Sequence, residues 1–113
     1  TIGTNAMHTV YIASASGDRS TATLSADATF GKLLIGNVSG SSGSLIQNSG
    51  NLAVGPTMGS TDVLDVGNGG GYGYYRMNSG SLATGQLGFG GGGGGTGVFD
   101  LYNGTVNVPT SNG

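Results

Sequence analysis

The sequence predicts an all-β fold, a parallel β-solenoid of about four three-stranded coils. Three observations carry that prediction. An apolar–any–apolar triplet recurs four times, as Val10-Tyr11-Ile12, Leu33-Leu34-Ile35, Leu64-Asp65-Val66 and Leu87-Gly88-Phe89. Ile12, Ile35, Val66 and Phe89 lie 23, 31 and 23 residues apart, and the long interval also becomes 23 if the eight residues Gly55 to Asp62 are an insertion. The segments that follow each triplet match from copy to copy, position by position. A fixed period in this range marks repeats that bury their apolar faces against one another.

The elements follow in order. Residues 1–9, with Ile2 and Met7, form an N-terminal segment suited to an inter-subunit strand; residues 10–113 form the solenoid, with the insertion at 55–62. In each triplet the flanking residues are always apolar and the middle one varies through Tyr11, Leu34, Asp65 and Gly88. That alternation is the mark of a half-buried strand. A second strand has the inward pairs Ala22/Leu24, Leu45/Gln47, Tyr75/Met77 and Phe99/Leu101. A turn follows at Asn48-Ser49-Gly50, Asn78-Ser79-Gly80 and Tyr102-Asn103-Gly104, where Asn and Gly accept positive φ cheaply. Ser25-Ala26-Asp27 stands there in the first copy. The third strand is Leu52-Ala53-Val54, Leu82-Ala83-Thr84 and Val106-Asn107-Val108, with Thr29-Phe30 in the first copy after a register shift. The run Gly90 to Gly95 falls at the first turn, opposite Asn37 to Ser42.

Stacked at about 4.8 Å per coil, the inward residues become core ladders. These are Val10–Leu33–Leu64–Leu87, Ile12–Ile35–Val66–Phe89 and Ala22–Leu45–Tyr75–Phe99. An antiparallel sandwich or barrel would use the same strands and glycine-rich turns. The position-by-position match favours the solenoid, because stacking needs it and a sandwich does not.

Composition narrows the function. Of 113 residues 26 are Gly; there is no Cys and no Trp, and every acidic residue is Asp. Charged residues make up 7%, too few for ordinary disorder, and Gly does not recur every third residue as collagen requires. Net charge −2 gives no footprint for nucleic acid or anionic lipid, and no apolar run is long enough to span a bilayer. A Gly/Ser/Thr/Asn surface with three basic residues is typical of exported bacterial surface proteins.

The repeat resembles the glycine-rich repeats of bacterial autotransporter passenger regions and related exported cell-surface β-solenoid proteins. The residues that carry the resemblance are Leu34-Ile35-Gly36-Asn37, Gly43-Ser44-Leu45 and Asn48 to Val54. They are echoed at Val66-Gly67-Asn68 with Asn78 to Leu82, and at Gly97-Val98-Phe99 with Asn103 to Val108. The resemblance implies an extracellular or cell-surface location and a role as adhesin, fibre or spacer.

Catalytic chemistry finds little material. His8 is the single histidine and has no nucleophile at a known motif spacing. Asp62 and Asp65 are the nearest to a carboxylate pair. Gly94 to Asp100 approaches a calcium-binding nonapeptide, but Asp100 is one residue late. The expectation is therefore no enzyme, no cofactor and no metal. Tyr72 and Tyr74 are the candidate surface binding residues, placed on a turn as a platform for sugar stacking, while Tyr75 points inward. Arg76 and Asp100 share one outward position in successive copies and are a candidate ion pair.

The expected function is a structural subunit or segment of an extracellular filament or surface fibre, assembling head-to-tail with itself by β-stacking. No polar cap is visible at either end of the ladders, and a heterologous contact that does not close yields a filament. The alternative is a cell-surface adhesin or glycan-binding module.

Overall fold

The computed structural model describes residues 5–55, 64–91 and 93–108, with side chains from residue 8 onward. Among them are eleven strands and no helix. The strands are β1 (Asn5–Ile12), β2 (Arg19–Leu24), β3 (Ala28–Ile35), β4 (Ser42–Gln47), β5 (Asn51–Val54), β6 (Leu64–Val66), β7 (Tyr72–Met77), β8 (Ser81–Thr84), β9 (Leu87–Phe89), β10 (Thr96–Leu101) and β11 (Thr105–Asn107). The chain is all-β and its strand pairs are parallel. One sheet of four strands runs β10-β7-β4-β2; the other, of seven, runs β11-β8-β5-β3-β6-β9 with β1 on β3.

Each pairing joins a residue to its equivalent one repeat away. Val10, Leu33, Leu64 and Leu87 are successive partners, as are Ile12, Ile35, Val66 and Phe89. Ala22, Leu45, Tyr75 and Phe99 form the third such row. The turns join the ladder too. Gly36, Gly67 and Gly90 donate their N–H to the carbonyls of Ile12, Ile35 and Val66 at 2.8, 2.7 and 2.9 Å. Asn48, Asn78 and Tyr102 do the same to Leu24, Gln47 and Met77. The backbone groups at these corners are therefore satisfied from repeat to repeat.

Glycine holds the first corner in three of the four repeats. Gly36, Gly67 and Gly90 have φ of 64, 78 and 61°, and Ala13 takes the equivalent place at 63°. An L-residue in this region costs about 1–2 kcal/mol. A Cβ on Gly36 or Gly67 would also come within 1.9 Å of the Tyr72 or Thr96 carbonyl oxygen.

The core lies between the sheets. Ile12, Leu33, Ile35, Leu64, Val66, Leu45 and Tyr75 are buried, and Val10, Leu87 and Phe99 partly so. Phe89, expected in a core ladder, is 42% exposed. It stands in the last repeat, where no described strand pairs beyond β9; its ring stacks on Phe99 (6.1 Å between centroids) and stays partly open. Gln47 is inward and wholly buried, yet satisfied. Its Nε2 donates to the carbonyls of Gly50 (3.0 Å) and Ser81 (2.9 Å), and its Oε1 accepts from the Tyr75 hydroxyl. Burial pushes the Tyr75 phenol well above its ordinary pKa, which keeps it a donor.

Four expectations shift. The boundary at residues 9 and 10 falls inside β1, which lies beside both halves of β3, from Asn5 at Phe30 to Ile12 at Ile35. The third strand of the first repeat has no register shift: Ala28, Thr29 and Phe30 pair with Leu52, Ala53 and Val54. The missing residue is absorbed by the shorter turn before it. Gly90 aligns with Gly36, so the glycine run sits one residue earlier than expected. Asp65, expected outward, is buried; Asn68 Nδ2 donates to its Oδ2 at 3.2 Å, and Gly88 beside it leaves room, since a Cβ there would lie 2.6 Å from Oδ1. Of the expected insertion, Gly55 is described and residues 56–62 lie outside the described residues.

Candidate functional site

Two surfaces stand out. The first is the end of the stack formed by β9, β10 and β11, whose outer edges pair with no described strand. An unpaired edge offers a row of N–H and C=O groups to another strand. Apolar side chains come with it: Phe89 is 42% exposed and Leu101 51%. At the opposite end their ladder equivalents Ile12 and Leu24 are only 5% and 7% exposed. The two ends therefore differ, although the sequence shows no polar cap at either. The C-terminal end is the apolar one, because no described strand stacks on Phe89 or Leu101.

The second surface is the outward face of the four-stranded sheet. The alternation of β7 places Tyr72, Tyr74 and Arg76 on this face and Tyr75 and Met77 inside. Tyr72 and Tyr74 thus lie on a strand, not on a turn. Tyr72 is exposed; the Tyr74 hydroxyl donates to Asp100 Oδ2 at 2.6 Å. That bond to a carboxylate, then partial burial, raises the Tyr74 pKa above its ordinary value.

Arg76 and Asp100 are cross-strand partners in register but form no ion pair. Arg76 Nε donates to Asn78 Oδ1 at 2.8 Å, and its guanidinium lies 4.0 Å from the centre of the Tyr102 ring. Asp100 is held by Tyr74 instead. Each charge has a partner at least as good as an exposed ion pair, which is worth about 0–1 kcal/mol. Asn78 Nδ2 in turn donates to Asn48 Oδ1 at 2.9 Å, so amides extend the face toward the turn. Tyr102 was read from sequence only as a turn residue. The signal for its role was its place diagonally across from Arg76, one strand over and two residues on.

This arrangement can stack and hydrogen-bond a flat polar ligand. His8 is exposed in β1. Among the described residues no three His, Cys, Asp or Glu side chains gather to hold a metal ion. Among them, too, no helix is long and apolar enough to cross a membrane, which leaves β-barrels unaddressed. Comparison with family models, with curated proteins and with solved structures returned no match. The likeness to autotransporter passenger repeats rests on the residue pattern alone.

Proposed function

We propose that the chain is a parallel β-solenoid with one coil per repeat, and that it serves as a structural subunit or segment of an extracellular filament. Coils of one molecule stack on those of the next, head to tail. The observation that carries this reading is the C-terminal layer: three parallel edges that pair with no described strand surround Phe89 and Leu101, whose equivalents the interior layers bury. A further layer would pair those edges and cover both side chains. The extracellular placement is supported by the Gly/Ser/Thr/Asn surface and the 7% charge; so few charges also oppose stacking weakly.

Electron microscopy of the purified protein at rising concentration tests the proposal. Unbranched fibres are expected, and Leu101→Lys is expected to convert them to single particles by placing a charge in the joint. Monodisperse particles at every concentration would contradict it. A second reading, a glycan-binding surface module, is favoured by one observation: Tyr72 and Tyr102 are exposed on the same sheet face as the Arg76 donor and the Asp100 acceptor.

A further inference from the structure

Three of the four repeats carry glycine at the second position of the second strand, and the first repeat does not. Gly43, Gly73 and Gly97 are successive register partners; the residue in register before them is Ser20. The glycines are needed because a carbonyl of the preceding repeat fills the space of a side chain. A Cβ on Gly43 would lie 2.3 Å from the Ile12 oxygen, on Gly73 2.4 Å from the Ile35 oxygen and on Gly97 2.0 Å from the Val66 oxygen. These carbonyls cannot turn away, since Gly36, Gly67 and Gly90 donate to them. Among the described residues no first or second strand precedes those of the first repeat, although β1 at Asn5 lies on the outer edge of its third strand at Phe30, and Ser20 is exposed.

In a head-to-tail stack the carbonyl that arrives at this corner belongs to Phe89 of the neighbouring molecule. Phe89 is the next member of the series Ile12, Ile35, Val66. A joint that copied the interior steps at the first and second strands would bring its oxygen as close to the Ser20 Cβ as the 2.0–2.4 Å found for the glycines. That is far inside van der Waals contact. We infer that Ser20 limits self-stacking: its Cβ props open one corner of the joint between two copies of this chain. The C-terminal layer accepts a partner layer with glycine at this position more tightly than it accepts its own first layer. The inference rests on the stacking reading, and it assigns the control to one atom.

The test compares wild type, Ser20→Gly and Ser20→Ala by light scattering and sedimentation, with circular dichroism to check that each is folded. Ser20→Gly is expected to lower the critical concentration for assembly at least tenfold. Ser20→Ala keeps the Cβ and loses only the hydroxyl, so it is expected to match wild type. Assembly by wild type and Ser20→Gly at the same concentration would overturn the inference and leave the filament reading standing. Assembly by Ser20→Gly alone would support the inference and overturn the filament reading for the natural sequence. No assembly by either would overturn both. Equal enhancement in Ser20→Ala would move the effect from the Cβ to the hydroxyl and also overturn it.

Discussion

Gly73→Ala is expected to remove about 3–5 kcal/mol of stability, from overpacking and a lost buried hydrogen bond together. The position is not one of positive φ, so the backbone itself tolerates alanine. The loss comes from space alone. The new Cβ would lie 2.3 Å from the Gly67 nitrogen and 2.4 Å from the Ile35 oxygen, which are bonded to each other at 2.7 Å. No flexible side chain is available to yield; β3, β6 and β7 must separate. Small domains have about 5–15 kcal/mol in total, so the variant is expected to melt far below wild type or not to fold. Gly17→Ala is the contrast. Gly17 has φ 90° but nothing within 4 Å of its missing Cβ, so only the conformational cost of about 1–2 kcal/mol remains. Thermal melts followed by circular dichroism separate the two. A Gly73→Ala protein within a few degrees of wild type would contradict the tight corner.

Ile35→Asp is expected to prevent folding. Ile35 is fully buried in the ladder between Ile12 and Val66. A carboxylate there meets no donor, and an unpaired buried charge costs several kcal/mol even after its pKa shifts. Its neighbour Leu34 faces the other way and is half-buried. Leu34→Asn is expected to cost about 1 kcal/mol, as a surface-type change. Asn suits this control better than Asp, because Leu34 lies directly opposite Asp65 and like charges there would repel. A soluble, folded Ile35→Asp protein, shown by a cooperative melt, would contradict the register of β3.

The ladders were legible because two periods coincide in the sequence. Alternation within Leu33-Leu34-Ile35 fixes the face, and the 23-residue spacing fixes the partner. Both are strictly local or strictly periodic signals. The misses arise where a residue's fate depends on what lies above it. Phe89 has the pattern of Ile35, but no described strand follows it, and it stays partly open. Arg76 and Asp100 were correctly opposed, yet their side chains turn to Tyr102 and Tyr74, and that choice depends on geometry that spacing does not encode. Asp65 occupies an outward position and is still buried, with Gly88 vacating space beside it. The row Gly43–Gly73–Gly97 was not read from the sequence, because its meaning needs the carbonyl that each one faces. Ser20 becomes informative only once that carbonyl is known.

The central claim is that each repeat forms one layer, stacked in parallel on the next. The chain has no cysteine, so introduced pairs report on it without interference. Thr23, Ile46 and Arg76 are successive register partners in the four-stranded sheet. Neighbours in such a row lie about 4.8 Å apart, and alternate members about 9.6 Å. Only the first spacing falls within the Cα range of about 4.4–6.8 Å that a disulfide spans. Oxidation of dilute T23C/I46C and I46C/R76C proteins is expected to give intramolecular disulfides, while T23C/R76C stays reduced. Ready closure of T23C/R76C, or failure of both adjacent pairs, would contradict the layered stack.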